Sequence, residues 1–409
     1  AWPLCSVVSL MSTNLADVPL PWSKKHKLVT KASAGGLTYS LSNSFAQPLT
    51  SKELLDLTTR RGDSQHLIDE YFDHSLYYTP NGGSHDLRAE VAKHYESSSI
   101  SASDVIICTG AQVALATAMR VIVGDGKGHA ITFRPGYQSV TEGPSHVSSR
   151  VTTLMLSAAN GWQIDVAAVA EAIQPDTRLI VINEPYNPAG TLMRHEAQKE
   201  LINLAKKHNI YILCDEVYRL LEHDPSDRIP AMADAYERGI SVVTLSKSWG
   251  ACGVSIGWIA TQDAVLMDRI SDVQYFGTAC PSRASELQAI MVLRSSEWIL
   301  ERNINIIRKN KALLVSFMEN HKDLFSWVPP HAGAIAAIKF KGPLTSTELG
   351  TELAKEGIGI KPAYCFNDAS TEENDYFRVG FGEEKVPKAL EALEEFVKKR
   401  KNSWTNSMK

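Results

Sequence analysis

The 409-residue sequence predicts an α/β protein: a large domain with a mostly parallel sheet of the seven-stranded type between helices, plus a smaller α+β domain. Between about residues 54 and 260, short apolar and β-branched runs alternate with helical patterns. This alternation is typical of parallel strands that are buried on both faces. After Phe325 the pattern changes to strands and helices typical of an antiparallel α+β unit. The length also favours two to three domains, at roughly 150 residues each.

Six runs form the predicted strands of the large domain. They are residues 104–108 (DVIIC), 129–133 (HAITF), 178–183 (RLIVIN), 210–214 (IYILC), 241–245 (SVVTL) and 256–260 (IGWIA). In open parallel sheets, ligands bind beyond the carboxyl ends of the strands. Most of the residues with chemical potential in this sequence follow those ends directly.

The C-terminal part begins with a predicted amphipathic helix over residues 298–321. Predicted strands follow at 327–329, 334–340 and 376–381, with helices at 346–356 and 386–400. We therefore predict a flexible tail over 1–34 and a segment over 35–50 that joins the small domain. The large domain then covers 51–300 and the small domain 301–409.

The composition excludes several classes of protein. Lys and Arg total 42 against 46 Asp and Glu, so a protein that grips nucleic acid through its phosphates is not expected. No apolar stretch reaches the roughly 18 residues that a membrane span needs. The six cysteines are far apart and form no C-x-x-C, so neither disulfides nor a metal site is expected. A reducing, cytoplasmic setting is the corresponding prediction.

Lys247 directly follows the predicted strand 241–245 and is flanked by Ser246 and Ser248. An amine at a strand end that faces a cleft is partly desolvated, which lowers its pKa and makes it a nucleophile. The hydroxyls of Thr244 and Ser246 could hold a phosphate. Taken alone, the motif favours a solvated loop lysine, because Ser-Lys pairs are common in sequences and few are catalytic.

Two further strand ends carry polar residues. Asp215 follows the run IYILC, where a carboxylate needs a cationic partner such as a protonated ring nitrogen of a cofactor. It could also simply cap the next helix. Asn187 lies in an Asn-Pro-Ala-Gly turn, where its amide is free to donate to a ligand oxygen. A plain tight turn is the alternative.

Gly110, Ala111 and Gln112 lie between a predicted strand and a helix, where free N–H groups and the helix dipole favour an anion. The segment matches neither the nucleotide-triphosphate nor the dinucleotide fingerprint. Arg378 lies in an aromatic and apolar strand, Tyr-Phe-Arg-Val-Gly-Phe. Such an arginine needs a carboxylate for its planar fork, unless it faces solvent from an edge strand.

The order and spacing of these motifs resemble one family, the class I/II aminotransferases of the fold type I pyridoxal-phosphate enzymes. The resemblance extends over about residues 35 to 400, and a Tyr-Thr-Pro-Asn-Gly-Gly segment at 78–83 is also similar to that family. The motifs are Gly-Ala-Gln at 110–112, Pro-Gly-Tyr at 135–137, Asn-Pro-Ala-Gly at 187–190, Asp-Glu-Val-Tyr at 215–218, Thr-Leu-Ser-Lys at 244–247 and Tyr-Phe-Arg at 376–378.

The resemblance implies pyridoxal 5'-phosphate as cofactor, held by Lys247 as a Schiff base. Lys247 would then move a proton as general acid and base. Asp215 would pair with the pyridinium nitrogen, Tyr137 would stack on the ring, and Asn187 and Tyr218 would hydrogen-bond the ring hydroxyl oxygen.

The resemblance also implies a phosphate site made of the backbone of Ala111 and Gln112 with the hydroxyls of Thr244 and Ser246. Tyr78 would reach the phosphate of a second subunit, which implies a homodimer.

Arg378, with Asn187 beside it, would bind the substrate, and Arg378 would take the α-carboxylate in a bidentate pair. The implied activity is an aminotransferase that exchanges an amino group between an amino acid and a 2-oxo acid. A lyase or cyclase on the same cofactor is the alternative, and a non-catalytic regulator a third. Neutral Asn43 and Phe45 in the predicted side-chain pocket disfavour a dicarboxylate substrate.

The sequence departs from the family at one point. An arginine is expected eight residues after the lysine, in a Gly-x-Arg-x-Gly stretch that binds the phosphate. Ser255 stands at that position. Because a charge-assisted hydrogen bond is worth roughly 1.5–3 kcal/mol, cofactor affinity should fall by about tenfold or more unless Arg134 or Arg219 substitutes.

Overall fold

The computed structural model describes residues 37–96, 99–126, 128–367 and 372–407. The predicted tail over 1–34 lies outside these residues. The central feature is a seven-stranded sheet with the spatial order β2-β8-β7-β6-β5-β3-β4. Its strands are β2 (Val105–Cys108), β3 (His129–Arg134), β4 (Val151–Met155), β5 (Thr177–Asn183), β6 (Tyr211–Asp215), β7 (Gly239–Thr244) and β8 (Gly257–Ala260).

Every strand pair in this sheet is parallel except those of β8, which runs antiparallel to both β2 and β7. The predicted fold class is thereby confirmed, and all six predicted strands are present with small shifts at their ends. The seventh strand, β4, was missed. It lies at the sheet edge with half-exposed residues such as Met155, so it lacks the continuous apolar run of a buried strand.

Helices cover both faces of this sheet, and others pack in the C-terminal part. They are α1 (Ser51–Arg61), α2 (Gln65–Asp73), α3 (His85–Ala92), α4 (Ala111–Val123), α5 (Gln138–Thr141), α6 (Gly143–Val147), α7 (Val166–Ala172), α8 (His195–His208), α9 (Met232–Ala235), α10 (Ala264–Tyr275), α11 (Arg283–Arg294), α12 (Ser296–Asn320), α13 (Ser346–Lys355) and α14 (Val386–Ser407). Single 3₁₀ turns occur at Ala102–Asp104, Ala158–Asn160, Pro225–Asp227, Cys252–Val254, Ala363–Cys365 and Glu372–Asn374.

Strand β5 shows how the sheet is buried. Leu179 and Val181 pack into the apolar cluster that includes α4, whereas Ile180 and Ile182 pack into the opposite cluster, which includes α8. Successive strand residues point to opposite faces, so a strand covered on both sides must be apolar at every position. That requirement explains why these strands were readable from sequence.

The C-terminal part contains a three-stranded antiparallel sheet with the order β12-β10-β9. Its strands are β9 (Phe325–Trp327), β10 (Ile335–Phe340) and β12 (Tyr376–Gly380). The predicted strand at 327–329 was wrong by two residues, because Pro329 and Pro330 cannot donate to a ladder and the strand ends before them. The long helix predicted at 298–321 is α12.

The segment after residue 36 packs against this C-terminal part. Its short strand β1 (Tyr39–Ser40) pairs in parallel with β11 (Ile358–Gly359), a pairing that sequence analysis did not predict. Leu41 and Ala46 belong to the same apolar cluster as α12 and β10. The division into domains at residues 50 and 300 stays a prediction.

The helices of the described ranges include none with the length and apolar character needed to cross a lipid bilayer.

Candidate active site

The strand register brings the predicted site residues to one edge of the sheet. Asn183 at the end of β5 pairs with Asp215 at the end of β6, and Asp215 pairs with Val242 of β7. The first residue of the reversed strand β8, Gly257, lies opposite both Thr244 and the end of β2. The carboxyl ends of β5, β6, β7 and β2, with the amino end of β8 between the last two, therefore form one continuous edge, which is the floor of the site.

Lys247 lies at this edge of the sheet, shortly after the end of β7. Its ammonium donates a hydrogen bond to the Ser44 hydroxyl over 3.0 Å, and its backbone carbonyl accepts from Ala46 N–H over 3.0 Å. Burial and the nearby Arg378 guanidinium lower the pKa of Lys247 to about 8, although Cys252 and Asp215 act in the opposite direction. A lysine with this pKa is partly unprotonated near neutral pH and can act as a nucleophile.

Asp215 is 4% exposed. Its Oδ1 accepts a long hydrogen bond, 3.3 Å, from the backbone N–H of Val217. Burial raises the pKa of Asp215 to about 7, and Lys247 opposes this rise. A buried carboxylate with so little compensation fits a cationic ligand atom such as a protonated ring nitrogen.

Arg378 is the most confined charge in the site, with 1% of its surface exposed. Its guanidinium donates to Asn187 Oδ1 over 3.1 Å and to the Ser42 carbonyl over 2.9 Å. Its Nε has no hydrogen-bond partner within the described ranges. Both acceptors are neutral, so the charge fits an anionic ligand such as a carboxylate.

Tyr137 and Tyr218 complete the ring-binding set predicted from sequence. The Tyr137 hydroxyl accepts a hydrogen bond from Gln112 Nε2 over 2.9 Å. Burial raises the pKa of Tyr218 to about 12, and the hydroxyl lies within the influence of Arg378 and Asp215. Both phenols therefore stay neutral and lie at the same end of the sheet as the charged residues.

The predicted phosphate site lies at the start of α4. Gly110 occupies the N-cap and offers no side chain to the first N–H groups of that helix. The hydroxyls of Thr244 and Ser246 lie 3.3 Å apart at the end of β7. A Cβ atom on Gly257 would lie 2.9 Å from the backbone nitrogen of Ala111, so the start of β8 and the start of α4 are closely apposed. Uncapped N–H groups beside hydroxyls fit a phosphate.

The departure at Ser255 has a structural counterpart. Ser255 is exposed and follows the short 3₁₀ turn Cys252–Val254 with a φ of 54°. Arg219 does not replace the expected arginine, because its guanidinium pairs with Glu96 at 3.4 Å and donates to the Ile229 carbonyl. Arg134, the last residue of β3, remains the predicted substitute.

Tyr78 is the one predicted site residue that this chain does not bring to the others. It is 81% exposed in a run that also exposes Phe72, Leu76 and Tyr77.

Several residues of the candidate site were not predicted from the sequence. Asn183 donates to the carbonyl of Asp215 and accepts from the N–H of Asn187, each over 2.7 Å, and so fixes both neighbours. Its place at a strand end was a usable signal. Ser42 and Ser44 come from the N-terminal segment, more than 200 residues away from Lys247, and no local pattern marks them.

The described residues contain no cluster of His, Cys, Asp and Glu side chains that could hold a metal ion. The fold, together with a partly buried lysine, a buried carboxylate and an uncapped helix start at the same edge of the sheet, defines the class of protein: a pyridoxal-phosphate-dependent enzyme of fold type I. The family model for aminotransferase class I and II matches residues 65–393. The chain belongs to this family, and it is a pyridoxal-phosphate-dependent aminotransferase.

Known proteins agree with this assignment. A probable aspartate aminotransferase from Methanocaldococcus jannaschii is 24% identical over 78% of this chain and 85% of its own. Aromatic-amino-acid aminotransferase 2 from Thermococcus litoralis is 24% identical over 83% and 90%. A PLP-dependent aminotransferase structure from Streptococcus suis superposes with a TM-score of 0.84 at 25% identity, covering 94% of this chain and 98% of that one. These relatives are named as aminotransferases, so the lyase or cyclase alternative gains no support.

Proposed function

We propose that this aminotransferase transfers the amino group of an amino acid to a 2-oxo acid at the floor formed by Lys247, Asp215 and Arg378. The observation that carries the proposal is the position of Lys247 after the end of β7, where its Nζ donates to Ser44 over 3.0 Å. The buried Asp215 carboxylate and the buried Arg378 guanidinium both act on this amine, whose pKa is lowered to about 8. When bound, pyridoxal phosphate supplies an electrophilic carbonyl carbon and an electron-withdrawing ring.

Lys247 has two tasks in this proposal. Its unprotonated amine would hold the cofactor, and the same amine would act as the general acid and base that moves a proton at the substrate α-carbon. Ser44 supports both tasks because its hydroxyl accepts from the lysine Nζ over 3.0 Å and fixes the side-chain direction. Burial supplies the remaining requirement, since a fully solvated lysine is almost wholly protonated at neutral pH.

Asp215 would hold a proton on the ring nitrogen. Burial raises its pKa to about 7, so the surrounding residues stabilise a bare carboxylate poorly, and a cationic nitrogen would supply the missing charge. Tyr137 would cover the ring face, while Asn187 and Tyr218 would bind the ring hydroxyl oxygen. Asn183 keeps Asp215 and Asn187 in register through its two hydrogen bonds.

The phosphate would lie at the start of α4, against the N–H groups of Ala111 and Gln112 and the hydroxyls of Thr244 and Ser246. The absence of a side-chain cap at Gly110 and the close approach of β8 support this placement.

Arg378 would bind the α-carboxylate of the substrate in a bidentate pair, with Asn187 orienting the guanidinium. The hydrogen bond from Arg378 to Asn187 Oδ1, at 3.1 Å, supports this arrangement. The α-carbon would then be held between Arg378 and Lys247, which is the geometry that proton transfer requires.

A homodimer is part of the proposal. The exposed run of Phe72, Leu76, Tyr77 and Tyr78 forms an apolar surface of the kind that marks an interface. Tyr78 would reach the phosphate bound by the second subunit. Among the described residues, Cys108, Cys214, Cys252 and Cys280 are free thiols, which supports the proposed reducing, cytoplasmic setting.

The test is cofactor binding by wild type, Lys247→Ala and the exposed-lysine control Lys199→Ala. We expect visible absorption of protein-bound cofactor in wild type and in the control, and its loss in Lys247→Ala. The rate of cofactor attachment should rise with pH and level off above about 8, where the lysine is unprotonated. Equal absorption in all three proteins would overturn the role of Lys247.

A further inference from the structure

Lys361 is a charged residue at the site that the proposed function does not use. Its backbone N–H donates to the Arg378 carbonyl over 3.0 Å, and the Arg378 N–H donates back to the Lys361 carbonyl over 2.7 Å. The two residues thus form a hydrogen-bonded antiparallel pair. Directly opposed residues in such a pair extend their side chains from the same face. Since the Arg378 side chain extends into the site, the Lys361 side chain leaves the backbone on the face that borders the site.

The charges around Lys361 are unbalanced. Burial, Arg378 and Lys247 together lower the pKa of Lys361 to about 7, and only the Cys365 thiol opposes them. Within the residues that the structure describes, no carboxylate lies within ion-pair distance of the Lys361 ammonium. Three basic side chains, Lys247, Arg378 and Lys361, therefore share a site whose buried carboxylate is Asp215. A ligand anion near Lys361 would favour its protonated form and so bind to an ammonium.

The next acidic group near the site does not correct this imbalance. Glu383 accepts a hydrogen bond from Asn43 over 2.6 Å and pairs with Lys385 at 3.0 Å. Its charge acts on Cys252, and it is not among the groups that affect Lys361. Glu383 is therefore already neutralised by a lysine of its own.

Unpaired charges in a partly buried cluster are costly, and a ligand anion removes that cost. The α-carboxylate of a neutral amino acid would balance Arg378 and leave Lys361 without a counter-charge. A substrate with a second acidic group would balance both. Arg378 and Lys361 are directly opposed in one antiparallel bridge, so one small diacid can span their two side chains.

We propose that Lys361 binds a second acidic group of the substrate and makes this enzyme selective for amino acids with an anionic side chain and for the matching dicarboxylic 2-oxo acids. The inference rests on the proposed function, because it takes Arg378 as the α-carboxylate site. This proposal reverses the expectation that neutral Asn43 and Phe45 disfavour a dicarboxylate substrate. The charge that would select such a substrate belongs to Lys361, which lies beside Arg378 rather than in the N-terminal segment.

The experiment compares two acids of similar shape, succinate and butyrate, as ligands of the cofactor-loaded protein in calorimetric titrations. Lys361→Met removes the charge and keeps much of the side chain. Lys388→Met removes the charge of an exposed lysine on α14 as the matched control. We expect Lys361→Met to weaken succinate binding by at least about tenfold and butyrate binding by less than about twofold. Lys388→Met should change neither, and Lys361→Arg should retain the preference for succinate.

The outcomes separate the two proposals. If wild type shows no absorption of bound cofactor, the proposed function fails. If the cofactor binds but Lys361→Met keeps the wild-type ratio of succinate to butyrate affinity, the role of Lys361 is overturned and the proposed function stands. Equal affinity of wild type for the two acids also overturns the role of Lys361. The cofactor absorption and melting temperature of Lys361→Met show whether that variant is folded.

Discussion

The clearest consequence of the site geometry concerns Arg378→Met, which removes the buried guanidinium and keeps an unbranched side chain. Among the described residues, that guanidinium donates to two neutral oxygens, at 3.1 and 2.9 Å, and to no carboxylate. A substrate carboxylate would add two charge-assisted hydrogen bonds, each worth about 1.5–3 kcal/mol. Their loss, about 3–6 kcal/mol, corresponds to a fall of about 10² to 10⁴ in kcat/KM.

The assay is steady-state kinetics of amino-group transfer with Arg378→Met, Arg378→Lys and the exposed-arginine control Arg194→Met. Arg378→Lys keeps the charge without the planar fork, so its loss should be smaller than that of Arg378→Met. KM should rise more than kcat falls, because the carboxylate is bound in both the ground state and the transition state.

A second measurement distinguishes substrate binding from a general structural effect. Arg378 is the second-largest cause of the lowered pKa of Lys247, after burial. The pH midpoint of cofactor attachment should therefore move upward in Arg378→Met and remain in place in Arg194→Met. A loss of less than about fivefold in kcat/KM would refute the reasoning, because it would place the carboxylate elsewhere.

Two further predictions concern stability. Burial raises the pKa of Asp215 to about 7 in the folded protein, against an ordinary value of 3.8, so the folded protein holds a proton that the unfolded chain releases between these values. Stability is therefore lost as the pH rises through this window, and Asp215→Asn should stabilise the cofactor-free protein by an amount that grows by roughly 2–3 kcal/mol between pH 5 and pH 8. Denaturant unfolding at several pH values measures this gain in stability. A gain that shrinks with rising pH would contradict the raised pKa of Asp215. The same variant should also lose catalytic activity. Gly257→Ala places a Cβ 2.7 Å from the Val243 carbonyl oxygen and 2.9 Å from the Ala111 nitrogen, so we expect a loss of about 1–3 kcal/mol in stability together with weaker cofactor binding. Gly253→Ala, where a Cβ meets nothing within 4 Å, is the matched control, and equal melting temperatures of the two variants would count against close apposition of β8 and α4.

Most residues of the candidate site could be predicted from the sequence because they follow buried strands. Asp215 and Lys247 come at or just after runs such as YILCD and GISVVT, whose apolar character is dictated by burial on both faces. Parallel strands place their carboxyl ends at one edge, so residues far apart in the chain were expected to meet there. The edge strand β4 escaped because one side of it is half-exposed and its pattern is mixed.

Residues that act through contacts from distant segments could not be predicted in the same way. Ser44 reaches Lys247 from a separation of 203 positions, and Ser42 reaches Arg378 from 336. Neither serine lies in a pattern that distinguishes it from other loop serines. Their roles exist only because β1 pairs with β11 and carries the N-terminal segment past the site.

The sequence by itself determined the α/β class, the strand ends and the chemical types gathered there, because hydrophobic periodicity and turn chemistry are local properties of the chain. The tertiary structure alone decided the charge balance of the site. Lys361 is an unremarkable lysine in the sequence, and it acquires its lowered pKa from burial beside Arg378 and Lys247. Electrostatic energies depend on distance and solvent exposure, and both are fixed only when the chain has folded.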